Sequence, residues 1–165
     1  MTAPVVIFAV GNPSRGDDAI GPELCAGLQE WLETHGLADA VELIEDFQLQ
    51  IEHALDLRGR ALALFIDAGA GTPDPFTFES VVPAEGIAHT THELPPSAVL
   101  QVFRQTEGGD PPPSFVLCVR GENFELGEPL TAAARAYTES AFALLTRLCS
   151  VPKLDFWMDQ ITEHR

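Results

Sequence analysis

The stretch Pro4-Val-Val-Ile-Phe-Ala-Val-Gly-Asn-Pro-Ser-Arg-Gly-Asp-Asp-Ala-Ile-Gly-Pro22 changes character twice: an apolar run breaks into glycines and two adjacent acids, then turns amphipathic. Pro4 to Val10 is continuous, apolar and rich in β-branched residues, which suits a strand buried on both faces of a parallel sheet. Gly11-Asn12-Pro13 stops it, because Asn tolerates unusual backbone angles and Pro cannot donate to a ladder. Ile20, Leu24, Cys25, Leu28, Trp31 and Leu32 then recur at the spacing of one buried helix face. The stretch reads as strand, loop, helix. One of Asp17 and Asp18 is enough to cap the helix; the other is left for the crevice beyond the strand ends, where open α/β folds place their ligands. There is no GxGxxG and no Walker lysine, and adjacent acids repel a phosphate.

The same alternation repeats along the rest of the chain. Val41 to Ile44 is a short strand ending at Glu45-Asp46, and residues 47–57 carry apolar positions at helical spacing, closed by Arg58-Gly59-Arg60. Ala61 to Ile66 is a third buried strand ending at Asp67. Phe76 to Val82 alternates, as a half-open strand at the edge or antiparallel to its neighbour does. A helix is predicted from about Ser97 to Thr106, a strand over Ser114 to Val119, and a long last helix from Glu128-Pro129 to about Cys149. The pattern predicts a three-layer α/β/α domain over residues 1–150, with a mostly parallel sheet of about five strands. Residues 151–165 form a C-terminal tail carrying Phe156 and Trp157.

The 165 residues, 45% of them hydrophobic, suffice for one domain with a real core. A formal charge of −16 argues against nucleic acid and anionic membranes as partners, and it is compatible with a cation or a basic protein. Cys25, Cys118 and Cys149 are odd in number and lie in apolar segments, so they read as buried free thiols of a reducing compartment. No signal peptide or membrane-spanning run is evident, and the expected location is the cytoplasm.

Acids follow three strands in succession. In a parallel sheet the carboxyl ends share one edge, so Asp18, Asp46 and Asp67 are candidates to converge there, around a cation that offsets their repulsion. His89 and His92 are spaced as metal ligands can be. His89 reads as an ordinary surface histidine, whereas His92 lies between a strand and a helix and is placed to fold over the crevice. An imidazole with two carboxylates makes an open site for a divalent transition metal. His35, His53 and His164 read as structural or exposed. No GxSxG elbow, HExxH or thiolate-favouring cysteine points to an ordinary serine, zinc or cysteine hydrolase.

Gly11-Asn-Pro-Ser-Arg-Gly-Asp-Asp-Ala-Ile-Gly21, Asp46-Phe-Gln-Leu-Gln50, Phe65-Ile-Asp-Ala-Gly69 and His92-Glu-Leu-Pro-Pro-Ser-Ala-Val-Leu100, in this order, resemble the maturation endopeptidases of nickel-iron hydrogenases over roughly residues 4–148. The resemblance implies a cytoplasmic peptidase that removes a C-terminal extension from the hydrogenase large-subunit precursor once nickel is inserted. It further implies that Asp18, Asp67 and His92 hold the metal. The nickel is expected to come with the substrate, and other divalent transition ions to occupy the site in vitro. Asp17 or Asp46 is then left to orient the loop or act as a base. Ala19 stands where many relatives have Gly, and Phe47-Gln-Leu-Gln50 resembles the branch acting on soluble, cofactor-reducing hydrogenases. Two other readings use the same residues: a nickel metallochaperone or precursor-binding protein that cuts nothing, and a small-molecule or nucleotide-binding domain, against which the lack of a basic residue beyond Arg15 in the loop counts.

Overall fold

A computed structural model of the chain describes residues 2–85 and 94–162; His89, His92, Glu93 and His164 lie outside the described residues. Five strands form one sheet in the order β2-β1-β3-β5-β4. They are β1 (Val5–Val10), β2 (Val41–Asp46), β3 (Leu62–Ala70), β4 (Phe76–Val81) and β5 (Ser114–Gly121). The pairs β1·β2, β1·β3 and β3·β5 are parallel, and β4 runs antiparallel on the outside of β5. The fold class expected from the alternating pattern is the one observed, including an alternating strand at the antiparallel edge.

Successive side chains of a strand point to opposite faces, and the two cores divide accordingly. Val5, Ile7, Leu62, Leu64, Ile66, Phe115, Leu117 and Val119 face one layer, built from helices α1 (Ile20–Thr34), α3 (Ala132–Ser150) and α4 (Leu154–Asp159). Val6, Phe8, Val10, Ala63 and Phe65 face the other layer, built from a 3-10 helix over Ile51–Leu57 and from helix α2 (Pro96–Glu107). Every residue of β1 is buried, which is why its sequence is apolar without alternation.

Three segments depart from the sequence expectation. Residues 47–57 are not one helix: Gln50 and His53 close a reciprocal cap that starts the helix only at Ile51, in 3-10 geometry, and leaves 47–50 as a non-helical connection that bends at 47–48. Strand β3 continues past Asp67 to Ala70, because β5 goes on pairing with it through Ala70↔Gly121 after β1 has ended. Helix α3 begins at Ala132 instead of Glu128, with the hydroxyl of Thr131 accepting from the amide of Ala134 as a helix cap.

The tail is packed on the body. Trp157 is fully buried against Phe78 and Phe115, its indole N–H donates to the carbonyl of Leu148 at 3.0 Å, and Thr162 bonds both the amide and the carbonyl of Phe78 on the outer edge of β4. Among the described residues no helix is long and apolar enough to cross a membrane.

Candidate active site

β1 stops at Val10, and the chain turns away at Gly11, whose φ of +149° belongs to a region that side chains rarely adopt. A Cβ there would also run into the carbonyl oxygen of Asp18, so the turn closes only with glycine. The loop then folds back through an Asx turn, the amide of Ser14 donating to Asn12 Oδ1 at 2.9 Å, and enters a 3-10 turn over Gly16–Ala19 that leads into α1. Asp17 and Asp18 lie on this turn and point different ways.

Asp17 is fully buried. Its carboxylate accepts from the amides of Glu122 (2.6 Å), Asn123 (3.1 Å) and Thr131 (2.7 Å), and from the Thr131 hydroxyl (2.9 Å). Burial opposes its ionisation, but these four donors outweigh burial and hold the carboxyl below its ordinary value. Backbone bonds run beside it, from Gly16 to Glu128, Asp17 to Asn123 and Gly127 to Ser14. Asp17 therefore ties the loop after β1 to the loop after β5. It is the loop-orienting acid, and its enclosure leaves no room for the alternative role of base.

Asp18 is half-buried, and its Oδ2 accepts from the amide of Asn12 at 2.7 Å. It lines a cleft of about 530 Å³ at the carboxyl edge of the sheet, and Asp67 lines the same cleft. Asp67 is on β3 one residue beyond the last pairing with β1 and directly opposite Cys118 on β5. Alternation puts Val10, Phe65, Asp67, Val116 and Cys118 on the α2 face of their strands, and these residues form the cleft floor. Phe47, Gln48 and Leu49 form one wall; Leu94, Pro95 and Pro96, leading into α2, and Phe124 close the others. Asp67 Oδ1 accepts from the amide of Ala68 at 2.7 Å. The structure thus brings Asp18, on the 3-10 turn that follows β1, and Asp67, on the neighbouring strand β3, to one cleft. Among the described residues no three His, Cys, Asp or Glu side chains form a metal-holding group.

Asp46 does not join them in the cleft lining. The last residue of β2, it accepts from the amide of Phe47 at 2.7 Å and faces His53 Nε2 at 3.4 Å. His53 Nδ1 accepts from the amide of Gln50 at 2.8 Å, so Nε2 carries the hydrogen and points it at Asp46. The buried imidazole packs edge-on against Phe8. Asp46 and His53 together pin the ends of the 47–50 segment, which supplies a cleft wall. The expected convergence of three acids is corrected to two, because β2 is one strand further from β3 and its terminal acid is held by the 3-10 helix.

Cys118 corrects a second expectation. Cys25 and Cys149 are buried, but Cys118 is half-exposed in the cleft, 3.2 Å from the Thr72 hydroxyl. Burial pushes its thiol up, the Thr72 bond opposes this, and the charges of Asp67 and Glu79 add to the rise. The period-two alternation of β5 puts Val116 and Cys118 on one face, a signal its apolar composition hides.

No protein-family profile and no curated protein sequence matches the chain. Solved structures do. The chain is 22% identical to the hydrogenase maturating endopeptidase HybD from E. coli, with a TM-score of 0.67 over 88% of this chain and 92% of that one. It is 23% identical to the NiFe hydrogenase maturation protease HycI from Thermococcus kodakarensis KOD1, with a TM-score of 0.64 over 90% and 93%. It is 20% identical to the hydrogenase 2 maturation peptidase from a Thaumarchaeota archaeon, with a TM-score of 0.59 over 89% and 98%. The chain has the fold of the hydrogenase maturation endopeptidases.

Proposed function

We propose that this chain, which folds as those endopeptidases do, is itself a maturation endopeptidase: it removes the C-terminal extension of a nickel-loaded nickel-iron hydrogenase large-subunit precursor in the cytoplasm. The observation that carries the proposal is the pairing of Asp18 and Asp67 in one open cleft, in a fold whose solved neighbours are named hydrogenase maturation endopeptidases and proteases. The floor and walls are largely apolar, as suits the side chains of an extended peptide, and among the described residues the two acids are the carboxylates that line it.

Nickel belongs to the substrate. Asp18 and Asp67 supply oxygen donors from the enzyme, His92 is proposed as the nitrogen donor, and such a set leaves positions for ligands from the precursor. Other divalent transition ions are expected to occupy the same donors in vitro. A metal held there polarises a peptide carbonyl or lowers the pKa of a water. The chain's own part is to hold Asp18 through the Asn12 amide, to hold Asp67 through the Ala68 amide, and to wall the peptide between 47–49 and Phe124.

The test is to incubate the purified protein with nickel-loaded and nickel-free precursor and weigh the products. Loss of the C-terminal extension from the loaded form alone is the expected result. Binding without loss of mass would instead establish the non-cleaving nickel metallochaperone.

A further inference from the structure

The cleft is rimmed by apolar side chains that face water. Phe47, 65% exposed, lines the cleft and stands out from it, and Ile51, 55% exposed, comes four residues later, where the 3-10 helix starts. Across the cleft, Phe124 lines the wall and Leu126, 68% exposed, projects from the same loop. Large apolar groups are costly to leave in water, and those beside a cleft mark contact with another surface. The rim is also acidic. Glu52 adjoins Ile51, Glu125 and Glu128 flank Leu126, and all three are exposed with no ion pair among the described residues.

We infer that this rim is the docking surface for the folded body of the protein whose tail enters the cleft, and that the partner presents an apolar patch framed by Lys and Arg. The inference rests on the peptidase reading for the identity of that protein. Continuity with the cleft fixes where the partner sits: Phe47 and the Phe124–Leu126 loop contribute to both surfaces, so a chain threaded between them brings its parent domain against the rim. Charge fixes the partner's character. Exposed carboxylates around apolar contacts favour cations opposite them, speed the encounter at low salt and reject acidic surfaces. The loop that carries Leu126, Glu125 and Glu128 is held rigid from beneath by Asp17, so this half of the rim is ordered before the partner arrives.

The experiment measures cleavage rates across a range of nickel-loaded precursor concentrations, together with the Kd of the same precursor for immobilised enzyme. The variants are Ile51→Asp, Leu126→Asp and the double variant Glu125→Lys/Glu128→Lys, with Met158→Asp, an exposed apolar position on α4, as control. Equal urea midpoints establish that each variant is folded. The expected result is a KM and Kd raised about tenfold by Ile51→Asp and Leu126→Asp with kcat unchanged, and slower, salt-insensitive association for the double variant. Met158→Asp is expected to match wild type. Cleavage by wild type with KM and Kd of the rim variants within about twofold of it would overturn the docking surface and leave the peptidase standing. Binding without cleavage by wild type would end the peptidase reading, and the same Kd comparison would still decide the rim. No binding by wild type would overturn both.

Discussion

Thr131 gives both its amide N–H and its hydroxyl to the carboxylate of Asp17, at 2.7 and 2.9 Å, across 114 residues of sequence. The residue that caps helix α3 is thereby fastened to the loop that carries Asp18 into the cleft. Two adjacent acids divide the work: Asp17 ties the two loops together from inside, and Asp18 lines the cleft.

Removing that carboxylate is expected to be costly. Asp17→Ala strands the amides of Glu122, Asn123 and Thr131, and the loss is expected to be about 3 kcal/mol in urea unfolding. Asp17→Asn is expected to lose nearly as much, because its amide nitrogen turns a donor toward donors. A loss below about 0.5 kcal/mol for both would remove Asp17 from the structural role.

The acid limb of stability carries a second signature of the same group. Asp17 titrates below 3.8 when folded, so the unfolded chain takes up the proton more readily. Its contribution is therefore complete above the unfolded value and is lost as the pH falls through the lower, folded one. The stability difference between wild type and Asp17→Asn should be flat from about pH 5 to 8 and shrink below about pH 4. A difference that grows on acidification would contradict the assignment.

The thiols should separate by place. Burial, with the Glu45 charge and hydrogen bond beside it, pushes Cys25 up to about 11, and burial alone pushes Cys149 up to about 12. Neither presents a thiolate at neutral pH, whereas Cys118 is open to the cleft. Iodoacetamide should label Cys118 first and slowly, as peptide mapping would read, with Cys25 and Cys149 reacting only on unfolding. The added group on Cys118 fills part of the cleft, so labelled enzyme should process precursor more slowly.

What the sequence made legible was local. Strand β1 and helix α1 announce themselves because their apolar positions repeat within a few residues, and each is buried where the pattern says. The half-open alternation of Phe76–Val81 likewise marks an edge strand. The division between Asp17 and Asp18 was not legible, since adjacent acids on a turn look alike and the partners that claim Asp17 lie more than a hundred residues away. Phe47 and Leu49 imitate a helix face, but the Gln50–His53 cap delays the helix, and Phe47 stands in water at the cleft mouth. Cys118 passes for core because the open end of β5 depends on where β1 stops and β3 goes on, a matter of register between strands. Trp157 reads as a loose aromatic until the stacked pair of phenylalanines it packs against is known.

If Asp18, Asp67 and His92 act together on a nickel-loaded precursor, as proposed, mass spectrometry of that precursor after incubation with Asp18→Ala, Asp67→Ala and His92→Ala will read it. Each variant should keep the unfolding free energy of wild type within about 1 kcal/mol and leave the precursor at full mass, while wild type removes its C-terminal extension. Complete processing by the Asp67→Ala and His92→Ala enzymes would contradict it.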